Sequence, residues 1–196
     1  MRGKRTVTVP FDMPGFLLNR FTVAAFNELY HTMKTKGAGE DQVDFNSFFY
    51  PLDSLYEWNR IYGRSGFTQY QFVLPLESSS EGLERILGQI ADSGLGSFLA
   101  VLKLFGKENE NYLSFPREGY TLALDFKISK DLFPLLDELD AIVLEHGGRL
   151  YLTKDVRMKP EMLRAGYPRL EKFLQVRERT GGMNKFSSLQ SKRLEI

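Results

Sequence analysis

The chain has 196 residues, enough for one domain with a substantial hydrophobic core. Its 26 lysine and arginine residues nearly balance its 25 aspartate and glutamate residues, so the net charge of +1 gives no electrostatic reason to expect nucleic acid as a partner. The absence of cysteine excludes disulfides, thiolate nucleophiles and cysteine-bound metals. No apolar run approaches the roughly 20 residues that span a bilayer, and we expect a soluble, cytoplasmic protein.

Residues 1–66 are predicted to form helical and aromatic segments. Apolar side chains recur at helical spacing in Pro14–Lys34, which predicts a helix. A charged loop that contains glycine is expected at Lys34–Asp44. The aromatic segment Phe48–Gly63 contains a proline that ends an extended piece, and a short helix is expected around the single tryptophan, Trp58.

Four strands are predicted in the middle of the chain, and each has a polar group on the same face. Alternation sends Tyr70, Phe72 and Leu74 to one side of the first strand and Gln69 and Gln71 to the other. In the second strand, Leu102 and Leu104 fall on the side opposite Lys103 and Phe105. The four predicted strands are Phe67–Pro75, Ser97–Phe105, Tyr120–Phe126 and Arg149–Lys154.

Two amphipathic helices are predicted between these strands. The first carries Leu83, Ile86, Leu87 and Ile90 on one stripe, and Ser78 and Glu81 have the spacing of a capping box. The second carries an apolar stripe from Leu132 to Val143, with Ser129 as its N-cap and Gly147 as its C-terminal stop. A third helix is expected at Pro160–Thr180, after the last strand.

This order of elements predicts an α+β fold with a ferredoxin-like βαββαβ unit. Such a unit has an antiparallel sheet with both helices on one face, and here it is flanked by N- and C-terminal helical extensions. We expect one domain overall, made of an N-terminal segment at 1–66, the sheet unit at 67–154 and a helical extension at 155–196. The second face of the sheet is left open.

The residues themselves offer little catalytic chemistry. His31 lies on a predicted helix and His146 at a helix end, where a surface histidine is the simplest interpretation. The glycines at 94 and 96 lead into a strand and not into a helix, so no dinucleotide-binding loop is predicted. A lysine on a mostly apolar strand face, such as Lys103, meets either solvent or a ligand, and both interpretations stay open.

Several long sequence runs, in the right order, carry a family resemblance. They resemble the carboxy-terminal half of the FAD-dependent sugar oxidases of the vanillyl-alcohol-oxidase superfamily, and they extend over nearly the whole chain. The runs are TVPFDMPGFLLNRFTVAAFNELY, PLDSLYEWNRIYGRSGFTQYQFVLP, GSFLAVLKLFG, LSFPREGYTLALDF, GGRLYLTKD and PRLEKFLQVRERTGGMNKFSSLQSKRLEI.

The resemblance implies a role for several residues of the open sheet face. Lys154 in YLTKD matches the family lysine that lies near the flavin ring and the substrate hydroxyl, so it is the predicted catalytic and cofactor-contacting residue. Gln69 and Gln71 in QYQF match positions of the substrate pocket, as do Lys103 and Phe105 in LKLFG.

Three positions depart from the polyprenyl-sugar oxidases of the family. Thr121 and Ala123 stand where those enzymes have asparagine and cysteine, and Phe49 stands where they have tyrosine. Thr121 and Phe49 remain predicted substrate-binding positions. The departures leave the identity of the sugar open.

The resemblance implies oxidation of a CH–OH group of a sugar, sugar lactone or polyprenyl-phospho-sugar, with hydride transfer to FAD. The FAD-binding half of the family has no counterpart here, so we expect an FAD-binding domain or subunit as partner and no firm FAD binding by this chain alone. A lipid-linked substrate would bring peripheral membrane association. The alternative is a non-catalytic binding module or one subunit of a split flavoenzyme, and the exposed sheet face could also pair two copies of the chain.

Overall fold

The structure is a computed structural model that describes residues 7–14, 17, 19–35, 42 and 44–196. Helices in this part of the chain are α1 Arg20–Thr35, α2 Phe45–Phe49, α3 Ser79–Ser93, α4 Leu132–Glu145, α5 Pro160–Gly166, α6 Leu170–Arg179, α7 Gly182–Lys185 and α8 Leu189–Leu194. Strands are β1 Val7–Thr8, β2 Leu55–Tyr56, β3 Phe67–Pro75, β4 Leu99–Phe105, β5 Gly119–Lys127 and β6 Arg149–Leu150. Two 3₁₀ helices span Pro51–Ser54 and Trp58–Tyr62, and the second is the short helix expected around Trp58.

The main sheet has the strand order β4-β5-β3-β6, and every neighbouring pair is antiparallel. The strands β3 and β4, which α3 joins, are separated by β5, as in a split βαβ unit. The central pair is the longest, because β3 and β5 pair from Phe67 opposite Lys127 to Pro75 opposite Gly119. The predicted α+β, ferredoxin-like fold class is confirmed.

The hydrophobic core lies between one face of this sheet and helices α3 and α4. Tyr70, Phe72 and Leu74 of β3 alternate onto that face and are buried, as predicted. Burial of each such side chain contributes about 1.5–3 kcal/mol, and the core side chains of the two helices are Ile86, Ile90, Leu132, Leu135, Leu136, Leu139 and Val143. Leu87 is half exposed because it lies at the margin of the apolar stripe of α3.

Of the two predicted N-caps, Ser78 is at the predicted position and Ser129 is not, and the predicted helix stop is confirmed. Ser78 is the N-cap residue of α3, but its hydroxyl donates to the carbonyl oxygen of His146 at 2.7 Å, so the predicted capping box does not form. Helix α4 begins at Leu132, three residues after Ser129, which leaves Ser129 too early to cap it. Gly147 has a φ of 70°, a left-handed conformation that glycine adopts without strain, and the helix ends there.

The edge strand β4 is only partly covered. Leu102 and Leu104 point to the same side as the core residues, yet they are 54% and 61% exposed. Helices α3 and α4 pack against each other and over β3, and β4 lies at the outer edge of the sheet. The exposed leucines are therefore an apolar surface at the sheet edge.

The predicted strand Arg149–Lys154 is correct only in its first half. Strand β6 ends at Leu150, and Tyr151 adds one more backbone hydrogen bond to the carbonyl oxygen of Gln71, at 2.9 Å. The Lys154 amide then donates to the carbonyl oxygen of Tyr151 at 3.0 Å. Lys154 therefore lies in a turn beside the sheet and not on a strand.

A buried aspartate holds the chain after that turn. One carboxylate oxygen of Asp155 accepts hydrogen bonds from the amides of Arg157 at 2.9 Å and Met158 at 2.6 Å. The other accepts from the Arg193 guanidinium of α8 at 2.7 Å. The amides of Lys154 and Asp155 close a turn onto the carbonyl oxygens of Tyr151 and Leu152, and Asp155 fixes the residues that follow, so the chain leaves the edge of β3 after Tyr151.

The helical extensions also differ from their predicted bounds. Helix α1 begins at Arg20, where the Asn19 side chain accepts from the amides of Phe21 and Thr22. The predicted helix Pro160–Thr180 is two helices, α5 and α6, because Pro168 between them cannot continue a helix. Most of the predicted loop Lys34–Asp44 lies outside the described residues.

In the part of the chain that the structure describes, no helix is long and apolar enough to cross a membrane.

A polar network joins β3, α4 and the segment after the Lys154 turn. The Tyr70 hydroxyl donates to Asp140 at 2.9 Å, and the Arg157 guanidinium donates to the same carboxylate oxygen at 2.8 Å. Arg157 also pairs with the more exposed Asp137. Burial raises the pKa of Asp140 to about 6, although Arg157 and Tyr70 act in the opposite direction.

Asp140 predicts a pH dependence of stability. Its pKa is higher in the folded protein than in the unfolded chain, where it is about 3.9, so the folded state binds the proton more tightly. The free energy of unfolding should therefore fall as the pH rises from about 4 to about 6, by about 2 kcal/mol. Urea unfolding across this range should show the slope in the native protein and lose it in Asp140→Asn. Asp137→Asn, which changes another carboxylate on Arg157, should keep the slope, and an equal loss in both variants would contradict the assignment.

Asp155 predicts a stability effect of its own. The Asp155→Ala variant leaves two backbone amides and the Arg193 guanidinium without their acceptor, so unfolding should become easier by about 3 kcal/mol. Glu195→Gln, which breaks the exposed pair with Arg164 in the same region, is the control and should cost about 0.5 kcal/mol or less. Equal midpoints in chemical denaturation for the two variants would show that Asp155 does not hold the turn.

Candidate functional site

A narrow cleft opens where β6 ends beside β3. Its enclosed volume is about 20 Å³, room for about one water molecule. Pockets that enclose a small ligand are far larger, about 300 Å³ or more, so the cleft is a partial site. The residues that line it are Thr68, Gln69, Tyr70, Gln71, Leu136, Leu150, Tyr151, Lys154, Asp155, Val156 and Arg157.

The cleft brings together three of the predicted site residues. Gln69 and Gln71 come from alternate positions of β3, on the face turned away from the core, and both are half-buried. Lys154 comes from the turn after β6 and is also half-buried. The hydrogen bond from Tyr151 to Gln71 places the start of this turn against β3.

A buried carboxylate lies next to the cleft. Asp125 is 1% exposed and sits directly opposite Gln69 in the β3–β5 pairing. Its Oδ1 accepts a hydrogen bond from the Gln69 amide nitrogen at 2.8 Å, whereas its buried Oδ2 has no partner among the described residues. Burial raises the pKa of Asp125, while the Gln69 hydrogen bond and the Lys154 charge act to lower it. Lys154 is therefore within electrostatic reach of Asp125.

Thr121 supports the second glutamine. It is 1% exposed, and its hydroxyl donates to the carbonyl oxygen of Phe72 at 2.7 Å. The Gln71 amide nitrogen donates to the same hydroxyl oxygen at 3.1 Å. Thr121 is thus a predicted site residue that meets the cleft through Gln71 and not directly.

Lys103 and Phe105 lie along the same sheet face but do not line the cleft. Lys103 is opposite Thr121 in the β4–β5 pairing, and its side chain is exposed. The Phe105 ring packs edge-on against Phe115, with 5.9 Å between the ring centroids. Phe115 in turn stacks on Tyr151 at 4.3 Å, so a row of three aromatic rings leads from Phe105 to the cleft.

Phe49 is not brought to this cleft. It lies in α2 and is 59% exposed. Its ring packs against Phe45 at 4.6 Å and Phe48 at 5.0 Å, and Trp58 and Tyr62 form another cluster with Phe67. The described residues therefore do not bring Phe49 to the cleft, and its predicted contact with a substrate stays a prediction.

The sequence prediction missed three residues of the site. Asp125 could have been found, because it alternates with Thr121 and Ala123 on the open face, and a carboxylate in a buried central strand is unusual. Tyr151 and Asp155 gave no comparable signal. Their roles depend on the turn after Leu150, and on contacts with residues such as Arg193 that are distant in the sequence.

Comparison with known proteins gives two informative relatives. The chain is 40% identical over 191 residues to a decaprenylphosphoryl-beta-D-ribose oxidase of Mycolicibacterium smegmatis, which is 97% of this chain and 41% of that protein. It is 37% identical over 115 residues to an uncharacterised protein in the mprA 5′ region of Streptomyces coelicolor, which is 58% of this chain and 31% of that protein. No protein-family model matches.

The chain therefore spans less than half the length of either relative. The resemblance to a sugar oxidase, predicted from the sequence runs, is confirmed over nearly the whole chain. The length of the match is consistent with an equivalence between this chain and the carboxy-terminal half of that oxidase.

Proposed function

We propose that this chain is the substrate-binding cap domain of an FAD-linked oxidoreductase that oxidises a CH–OH group of a sugar, sugar lactone or polyprenyl-phospho-sugar. The observation that carries the proposal is the 40% identity to a decaprenylphosphoryl-beta-D-ribose oxidase across 97% of the chain. The meeting of Lys154, Gln69 and Gln71 in one cleft supports it.

The side chains of the cleft fit the chemistry of a flavin-dependent alcohol oxidation. Lys154 supplies a half-buried cation beside Asp125, whose Oδ2 has no partner in the described part of the chain. A bound flavin supplies the acceptor for the hydride that leaves the substrate carbon. The same substrate carbon becomes a carbonyl as its hydroxyl proton passes to solvent water.

Lys154 has two tasks in this proposal. Its ammonium group donates a hydrogen bond to the reacting hydroxyl and so holds the C–H bond in position. It also stabilises the negative charge that develops at the site during the reaction. Because it sits in a turn that the Asp155 hydrogen bonds hold, the backbone of Lys154 is fixed beside the cleft.

The other predicted site residues would hold the rest of the ligand. Gln69 and Gln71 form the polar floor, and the aromatic row that starts at Phe105 forms a wall. Lys103 is exposed farther along the same sheet face, where it can bind a hydroxyl or a phosphate that projects from the cleft.

An FAD-binding half, on the same protein or on another subunit, is the proposed partner. The cleft is too small to enclose a sugar, so a second surface is needed to complete it. Helix α1 also leaves large apolar side chains exposed, among them Phe21 at 73%, Leu29 at 61% and Met33 at 64%. Exposed apolar area of this kind is typical of a surface that another domain covers.

The alternative is a binding module without catalysis, or one subunit of a split flavoenzyme. The exposed leucines of β4 favour an interaction surface, because an uncovered apolar strand edge can pair with another chain. A binding module without catalysis differs from the proposal because no flavin chemistry would depend on Lys154, whereas a split flavoenzyme would keep that dependence.

Replacement of Lys154 by methionine tests the catalytic proposal. In the enzyme assembled with its FAD-binding half, Lys154→Met should slow flavin reduction by substrate by about 10²–10³-fold, the usual cost of one lost electrostatic group. Stopped-flow absorbance of the flavin measures this rate directly. The control is Lys130→Met, an exposed lysine outside the cleft, which should leave the rate unchanged. Equal rates for the native protein and Lys154→Met would remove Lys154 from the mechanism.

A further inference from the structure

We propose that Asp125 and Thr121 are positioning residues that fix the orientation of the Gln69 and Gln71 amides, so that each amide offers a ligand its carbonyl oxygen and its second N–H. A sugar hydroxyl suits such a pair of groups, because it can donate to the oxygen and accept from the N–H. The inference rests on the proposed function for its place in the enzyme. It does not depend on that function for the orientation of the two amides.

The orientation of Gln71 follows from the single hydroxyl proton of Thr121. That proton is donated to the carbonyl oxygen of Phe72 at 2.7 Å. The Thr121 oxygen can then only accept from Gln71, so the group at 3.1 Å must be the Gln71 amide nitrogen and not its carbonyl oxygen. The carbonyl oxygen of Gln71 is left for the cleft.

The orientation of Gln69 follows from the chemistry of Asp125. While Asp125 is ionised, both of its oxygens are acceptors only, so the Gln69 atom that lies 2.8 Å from Asp125 Oδ1 is the amide nitrogen. The carbonyl oxygen and the second N–H of Gln69 then remain for a ligand.

The result is a floor of two oriented amides with the Lys154 ammonium group at one side. Each amide offers a carbonyl oxygen and one N–H, and Asp125 adds a buried carboxylate behind them. The Arg157 guanidinium also borders the cleft, but Asp137 and Asp140 occupy it. A sugar hydroxyl can therefore donate and accept on this floor at the same time.

Side-chain amide exchange in the full 196-residue chain tests the orientation. In ¹H–¹⁵N spectra, the Gln69 amide protons should exchange with water about ten-fold faster in Asp125→Leu than in the native protein, since one hydrogen bond to a charged group is lost. Asp125→Asn keeps an acceptor and should restore slow exchange. Thr121→Val should free the Gln71 amide in the same way, and Thr121→Ser should restore it.

A matched control comes from another glutamine and carboxylate pair. The Gln89 amide donates to Glu138 at 2.5 Å on the exposed helix surface. Glu138→Leu should change the exchange of Gln89 alone. Exchange at Gln69 and Gln71 that is insensitive to Asp125→Leu and Thr121→Val would overturn the proposal. The two pairs are tested independently, so if one of these variants fails to fold, the other still decides the question.

These outcomes are separate from the proposed function. Oriented amides, together with a flavin reduction rate that Lys154→Met does not change, would support the positioning roles and remove the oxidase proposal. Amides that exchange freely, together with a strong effect of Lys154→Met, would give the opposite result.

Discussion

The antiparallel pairing of β3 with β5 determines most of what this protein offers to a ligand. Nine residue pairs hold the two strands in one register, and a slip of one residue would send every side chain to the opposite face. In this register the apolar residues of β3 meet α3 and α4. The same register sets Gln69 opposite Asp125 on the other face and brings Gln71 next to Thr121. The packed core therefore fixes the polar floor of the cleft.

Two sets of contacts form the cleft, one between paired strands and one between residues that are far apart in the sequence. The floor comes from adjacent strands, but Lys154 is placed by a turn that Asp155 and Arg193 hold together. A change in the C-terminal helix α8 can therefore reach the proposed catalytic lysine without any contact with it. This coupling gives the helical extension a role beyond the closing of the core.

Much of the fold follows from residue alternation and helical spacing. The four strands, the two core helices and the helix stop at Gly147 can all be predicted from the sequence, because patterns with periods of 2 and 3.6 residues reflect burial of one side of a strand or helix. The capping box at Ser78 was wrong, because the Ser78 hydroxyl instead donates to His146, 68 residues away, and the cap of α4 falls at Asp131 and not at Ser129. The strand through Lys154 was too long for a similar reason, since side chains far along the chain hold the turn. The two glutamines could be found by residue alternation, whereas the role of Asp125 could be recognised only from the register of β3 with β5.

The central claim is that this domain completes a flavin site that it does not form alone. The most direct measurement is the visible absorption spectrum during FAD titration of the purified chain, alone and mixed with an FAD-binding half. The account predicts that the chain alone retains no flavin after gel filtration, and that the mixture elutes as a complex with bound flavin. Tight FAD binding by the isolated chain, or a mixture whose components elute separately, would contradict it.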